Sequence, residues 1–322
     1  MELLYSKLPD SEKRVLPNKK VVAVEQDDSS VTVTCADGSE FKGDILIGCD
    51  GVNSAVRRLA FSSSENGPKD SISSSRAEYR GLFGSSPRPD GLSPCNVTET
   101  HDSGIVFMIL CTDERAFWLV TNLKDKNTPN QKYSDEDIQE LANRYKDHSV
   151  AEGKKVTFGD LWETRNTVVG RPGMYDYHEG VAERWHDRRV VIVGDAAHGM
   201  TPNLGQGGNN SIEDVTSVVN KLHALVKEKP DPTTADFDSA FAAFQKEREK
   251  KVRKVVALTG SYTRWGSWRN WFGWFMQYWA WPLAGDRFIA DWLLSPMIKE
   301  SIKLDFVEEK NLPAGKVAWK YA

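Results

Sequence analysis

The stretch GDAAHGMTPNLGQGGNNSIEDV, Gly194 to Val215, decides how the rest of the chain is read. It follows a continuous apolar run, Val190 to Val193, and leads into Ile212, Val215, Val219, Leu222 and Val226 at helical spacing. A strand, a bare loop and a helix are therefore predicted in that order. A helix that starts just beyond a strand end presents unpaired backbone N–H groups and partial positive charge, which favour an anionic or electron-rich ligand. Gly205, Gly207 and Gly208 let a flat or phosphorylated ligand approach the backbone, and Pro202 stiffens the approach. Asp195, at the strand end, offers a carboxylate suited to ribose-like hydroxyls. The same residues could also form a simple tight connection. They are not a dinucleotide fingerprint, because Asn210 stands where GxGxxG needs its third glycine, and the chain contains no GxxxxGK[ST].

Outward from this loop, Ile45 to Cys49 forms a second continuous apolar run ending in Asp50-Gly51, the pattern of a parallel strand buried on both faces. Before it, residues 21–24, 30–35 and 40–41 read as short strands separated by turn signals. AVRRLAF, from Ala55, reads as a brief helix, and the polar residues 62–75 as a linker. Strands are predicted around YRGLF, GIVFMIL at 104–110 and AFWLVTNL at 116–123, with a Ser-capped helix over 134–146. A charged helix with Phe237, Phe241, Phe244, Val252, Val255 and Val256 follows a break at 229–236. The expected units are residues 1–74, 75–170, 171–228 and 229–322.

The 322 residues carry 27 % charged side chains and a net charge of −4, an ordinary balance that argues against a nucleic-acid footprint. Cys35, Cys49, Cys95 and Cys111 show no metal-ligand spacing, and Cys49 is expected as a buried thiol in a reducing, intracellular compartment. No metal is expected: His198 has no second histidine at ligand spacing and reads as structural. Asp176, His178 and Glu179 read as a solvated polar cluster.

Together, LIGCDGVNSAVR at 46–57 and VVIVGDAAHGMTPNLGQGGNNSIEDV at 190–215 resemble the Asp-Gly and Gly-Asp motifs of the flavoprotein aromatic hydroxylases, the single-component FAD monooxygenases. The resemblance covers roughly residues 15 to 260. The MTPNLGQGGNN loop and KLDF at 303–306 are most similar to fungal FAD-dependent monooxygenases and epoxidases of secondary metabolism. It implies an α/β fold: a flavoprotein-hydroxylase FAD domain, an inserted mixed β-sheet substrate domain and a C-terminal helical region. It further implies that Gly194 and Asp195 serve the ribityl side of FAD and that Pro202, Gly205, Gly207, Gly208 and Asn209 lie along the isoalloxazine. Asp50 and Gly51 would serve FAD and NAD(P)H, with Arg57 on the phosphate side. An ordinary turn and a helix-surface charge are the alternatives at those positions. Arg80, in Tyr79-Arg80-Gly81, falls where relatives place substrate-facing residues, a surface arginine being the alternative. The implied activity is NAD(P)H- and O2-dependent hydroxylation or epoxidation of an aromatic or isoprenoid-bearing small molecule. A flavin oxidase or halogenase would share the cofactor motifs.

The family's opening βαβ unit with its GxGxxG turn has no counterpart in the sequence, which sets up the expectation of an N-terminally truncated FAD domain. A non-catalytic remnant associating with membrane or partners is the rival reading. Its surface would be the tryptophan-rich segment, where Trp265, Trp268, Trp271 and Trp274 recur every third residue. The uncharged run from Asn270 to Gly285, about 24 Å as a helix at ~1.5 Å per residue, is short for a membrane crossing. Residues 265–296 are therefore expected either at a membrane interface or as a core helix on the FAD domain.

Overall fold

The computed structural model describes residues 2–61, 72, 77–126, 128–151, 153, 155–168, 170–285, 291 and 295–308. Nearly all of the linker expected at 62–75, and Trp292 in the tryptophan-rich segment, lie outside the described residues.

Two short helices, α1 (Glu2–Lys7) and α2 (Ser11–Arg14), precede an antiparallel meander of β1 (Val21–Gln26), β2 (Val31–Cys35) and β3 (Glu40–Gly43). The Asp27 carboxylate closes the first hairpin by accepting the Ser29 and Ser30 N–H groups. Next come β4 (Leu46–Gly48) and α3 (Ala55–Phe61). The chain then builds a five-stranded sheet from β5 (Tyr79–Pro87), β6 (Val97–Asp102), β7 (Ile105–Cys111) and β8 (Arg115–Leu123). Helices α4 (Asp135–Tyr145) and α5 (Phe158–Glu163) follow, each opened by a complete capping box, Ser134 with Asp137 and Thr157 with Asp160. Beyond them, β9 (Gly173–Asp176) returns to pair with β5, giving the order β6-β7-β8-β5-β9.

Every pairing in this sheet is antiparallel. Mixed pairing is found instead in the small sheet of β4, β11 (His186–Asp187) and β12 (Val190–Ile192), which follow β10 (Gly180–Val181). There β12 pairs parallel with β4, Val190 opposite Leu46 and Ile192 opposite Gly48, and antiparallel with β11. The two apolar runs of the sequence thus lie side by side, joined across the whole antiparallel sheet. Val190, Val191 and Ile192 are fully buried. Ile47 is not: β4 is the edge strand, and Ile47 and Cys49 are exposed, contrary to the expectation of a strand covered on both faces.

After β13 (His198–Gly199), which pairs with β10, two long helices complete the fold, α6 (Gln206–Glu228) and α7 (Thr234–Gly266). On α7, Phe237, Phe241, Phe244 and Val252 pack with Trp185, Val190 to Val193 and Val218 into one core; Ile105, Phe107, Ile109, Trp118, Leu141 and Phe158 form the other, under the five-stranded sheet. Each such buried side chain contributes about 1.5–3 kcal/mol. At ~1.5 Å per residue α7 is about 50 Å long, and its far end reaches β6 of the five-stranded sheet. There Tyr262 donates to Glu99 at 2.8 Å, and Gly266 O lies 3.1 Å from His101 Nδ1.

Helix α6 departs from its apolar pattern. Ile212, Val215 and Val226 are exposed, whereas Asn210, Asp214, Ser217 and Val218 face inward. The inward face is chosen by polar partners on α7, described below. The tryptophan-rich segment is not one helix either: Trp268 sits at φ 48°, ending α7, and α8 (Trp271–Phe275), a π turn over 276–280 and α9 (Trp281–Ala284) follow. No helix among the described residues is long and apolar enough to cross a membrane.

Candidate functional site

A cleft of about 430 Å³ opens where the loop between β13 and α6 faces β9 and the residues following it. One wall is Asp195, Met200, Thr201, Pro202, Gly205, Gly207 and Gly208, and the opposite one is Tyr175, Asp176, Tyr177 and His178, with Val52 at the edge. Five residues singled out in the sequence, Asp195, Pro202, Gly205, Gly207 and Gly208, therefore line one cavity. A Cβ placed on Gly205 or Gly208 would meet nothing within 4 Å, and one on Gly207 would have only Asp195 Oδ1, at 3.9 Å. The space is open on the side a ligand would use.

Local geometry follows from the sequence. Gly205 ends a short turn at φ 62° and forms the N-cap of α6 without any side-chain cap, so the first N–H groups of a 23-residue helix are left for the cleft. Asp195 makes no hydrogen bond among the described residues and opens to the cleft. The surrounding protein nonetheless displaces water and raises its pKa, an effect partly offset by the charge of His198. A group that accepts hydroxyl donors in a low-dielectric concavity suits it. Thr201 and Asn203 anchor the loop from behind: Thr263 Oγ1 lies 2.9 Å from Thr201 Oγ1 and 3.0 Å from Asn203 Oδ1. Asn203 also reaches Thr121 on β8, at 3.4 Å.

The remaining residues read from the sequence lie outside the lining. Gly194 is buried at φ 59°, where an added Cβ would collide with Ser211 Oγ at 2.6 Å. Asn209 is exposed on the first turn of α6, its amide donating to Gly205 O. Asp50 caps α3, accepting the N–H groups of Ala55 and Val56 and the Ser54 hydroxyl, while Gly51 turns at φ 79°. Arg57 is 5 % exposed, so it is no surface charge; its guanidinium donates to Val52 O and Ala196 O and ties the Asp-Gly turn to the Gly-Asp turn. Arg80 donates to Asn122 Oδ1 at 2.9 Å and lies over the Tyr133 ring, behind the cleft wall.

Asp176 is no solvated residue. It is buried against Lys124 at 2.8 Å, and it also accepts the Tyr133 hydroxyl and the Gln131 N–H. Glu179 pairs with Arg264 at 3.2 Å. Burial, and then the charge of Asp195, raise the Tyr175 pKa, which places that phenol within electrostatic reach of the opposite wall. The tyrosines themselves carried no distinguishing signal in the sequence. Their position is visible only in the glycines that make room for them, as at Gly81, where a Cβ would fall 2.4 Å from Tyr177 Oη.

Residues 2–259 match the family described as FAD binding domain. Among curated proteins, the chain is 34 % identical over 270 residues to the FAD-dependent monooxygenase spyC of Aspergillus fumigatus, covering 79 % of this chain and 55 % of that protein. It is 32 % identical over 313 residues to the FAD-dependent monooxygenase janM of Penicillium janthinellum, covering 95 % and 63 %. The chain thus spans somewhat more than half the length of these relatives. Among solved structures, Klebsiella pneumoniae HpxO complexed with FAD and uric acid shares the fold, with a TM-score of 0.62 at 21 % identity, over 81 % of this chain and 61 % of that one.

Proposed function

The chain belongs to the FAD binding domain family, among the FAD-dependent monooxygenases of the flavoprotein aromatic hydroxylase type, and from that premise we propose that its cleft holds the flavin end of FAD during NAD(P)H- and O2-dependent oxygenation of a small molecule. The observation that carries this reading is the combination of open space over Gly205, Gly207 and Gly208, an uncapped helix N-terminus and an Asp195 carboxylate that makes no hydrogen bond among the described residues. FAD, when bound, supplies the redox chemistry and O2 activation. This chain's residues do the rest. Asp195 would accept hydroxyl donors of the ribityl chain, Pro202 to Gly208 would form a flat bed, and the N-terminus of α6 would stabilise negative charge on the ring. Arg57 and Asp50 fix the turns on either side, and Gly194 and Gly51 supply their shape. Arg80 supports the wall through Tyr133.

The opposite wall supports a reading of the substrate class. Tyr175 is 42 % exposed and is backed by the buried ring of Tyr177, centroids 5.4 Å apart, and no Lys or Arg stands among the described lining residues, which suits an uncharged aromatic or prenylated secondary metabolite. Titration with FAD followed by flavin fluorescence tests the reading: the parent chain is expected to quench and hold the flavin. Asp195→Ala should weaken binding by about 10-fold, the size of one charge-assisted hydrogen bond. A parent chain that stays colourless at saturating FAD overturns it. Substrate-stimulated NAD(P)H oxidation tests the oxygenation step.

A second surface is proposed as a membrane-interface contact. Trp271, Phe272, Trp274, Tyr278 and Trp279 expose 40–75 % of their surface on α8 and the turn after it, a concentration of amphipathic rings typical of the lipid headgroup level. The chain is expected to sediment with phosphatidylcholine vesicles and to lose this when Trp271 and Trp279 become Ser. A protein that stays in the supernatant sinks the idea.

A further inference from the structure

The glycine-rich loop does not determine its own shape. Beneath it lies a buried group of ions that the sequence pattern gave no reason to expect. Asp214, fully buried on α6, accepts three donors: the Gly194 N–H at 2.9 Å, His198 Nε2 at 2.7 Å and Arg248 Nε at 2.8 Å. Arg248, 2 % exposed on α7, also donates to Glu213 and, at 3.2 Å, to Asn210 Oδ1. Lys251 closes the group, holding both Glu213 oxygens at 2.8 Å. His198 Nδ1 is buried and makes no hydrogen bond among the described residues, so Nε2 is the ring nitrogen that serves Asp214.

The consequence is geometric. Gly194 holds a left-handed turn whose N–H is fixed by Asp214, and the next residue is Asp195, which opens to the cleft. Asn210, held by Arg248, sits in the first turns of α6 just after Gly207 and Gly208. The guanidinium of one α7 residue thus reaches both ends of the cleft-lining loop. Burying several charges in this way contributes little net stability, because desolvation offsets the attraction. What it provides is orientation.

We infer that Arg248 and Asp214 are positioning residues for the cofactor: acting through Gly194 and Asn210, they aim the Asp195 carboxylate and the glycine bed at the ligand. The inference rests on the FAD reading of the cleft. Neither residue lines the cavity.

Protonation gives the role a signature. Burial pushes the Asp214 carboxyl up, but the hydrogen bonds and charges of His198 and Arg248 outweigh it and hold the group below its ordinary value. The other groups facing the cluster are Glu213 with Lys251, Glu300 beside Lys251, and Asp195 beside His198. With the folded-state pKa depressed, the contribution of ionised Asp214 is complete above about pH 4 and is lost as pH falls through the lower folded value. The share of the acid limb of FAD affinity that Asp214 sets in the parent chain should accordingly lie below about pH 4, beneath the share set by Asp195, whose carboxyl is pushed up by burial.

Arg248→Met removes two of the influences that lower this carboxyl. Its acid limb should move up by at least about one pH unit, and its FAD affinity at neutral pH should fall by at least about 10-fold. Arg248→Lys keeps the charge but not the fork that serves Asp214, Glu213 and Asn210 together. It should show the loss of affinity with a smaller movement of the limb. If the Met variant does not fold, the Lys variant carries the test. Arg253→Met, which breaks only the exposed pair with Glu249 on the same helix, is the control and should bind as the parent does. FAD affinity and thermal unfolding of the full chain, measured between about pH 3 and 8, separate the outcomes. Parent-like affinity and an unmoved limb in the Lys variant overturn the positioning role, as does lowered thermal stability in either variant with affinity and limb unchanged. A parent chain that takes up no FAD overturns the cofactor reading itself.

Discussion

Gly208→Ala is expected to lower the affinity for FAD by about 10- to 100-fold while the unliganded chain melts no lower than the parent, a separation few substitutions in a binding loop produce. The two effects have independent causes. Without ligand, a methyl group at this position enters open space, since nothing among the described residues lies within 4 Å of the Cβ site and the residue does not require a positive φ. Glycine is also a poor helix residue, so alanine in the first turn of α6 should stabilise by a few tenths to about 1 kcal/mol. With ligand, the methyl occupies volume that a flat ring needs. Overfilling a packed contact costs about 1–3 kcal/mol, which gives the stated loss of affinity. Differential scanning fluorimetry without FAD and fluorescence titration with it provide the two numbers. Undiminished affinity would mean that the flavin does not lie on this face of the loop.

The second large effect is on stability. Lys124→Met should destabilise the chain by about 3–5 kcal/mol, because Lys124 and Asp176 form an ion pair whose side chains are 1 % and 2 % exposed. Losing the ammonium leaves a buried carboxylate whose remaining donors among the described residues are the Tyr133 hydroxyl and the Gln131 N–H. For a chain of this length the drop corresponds to a lowering of Tm on the order of 10 °C. Adding Asp176→Asn removes the orphaned charge while keeping an acceptor for Tyr133, and the double variant should recover more than half of the loss. A single variant that melts within 1–2 °C of the parent, by roughly the same conversion, would show that this pair does not hold the cleft wall in place.

The cradle loop was legible from the sequence because its signals are local. Glycine, proline and a strand-end aspartate specify a turn and a helix start wherever they occur together, and Asp195, Pro202, Gly205, Gly207 and Gly208 do line one cleft. What escaped depended on partners remote in the chain. Helical periodicity pointed to Ile212, Val215 and Val226 as the inner face of α6, yet Asp214 and Asn210 turn inward because Arg248 on α7 satisfies them. Asp176 looked solvated because its lysine lies more than fifty positions upstream and no periodic pattern links the two. The apolar run at Ile45 to Cys49 resembled a central strand, but composition does not reveal whether a strand has a neighbour on its outer edge, and Ile47 is exposed there. Arg57 illustrates the same limit: a basic residue on a short helix gives no sign that two turns, one at residue 52 and one at residue 196, share its guanidinium.

The parallel pairing of β4 with β12 also sets an order of assembly. Arg189, just before β12, donates to Asp44 O, 145 residues away in the chain. Strands β5 to β8 and the helices that cover them lie between and pair mostly with sequence neighbours, so that layer can close soon after it is made. During synthesis at ~5–20 residues per second, β4 waits roughly 7–30 s for its partner, with an unpaired edge and Ile47 exposed. The contact that holds the glycine-rich loop from beneath can form only afterwards, when α7 has delivered Arg248 to Asp214. The cleft is therefore completed late, after collapse, and a nascent chain stalled before α7 would carry a folded antiparallel layer and an unfinished cleft.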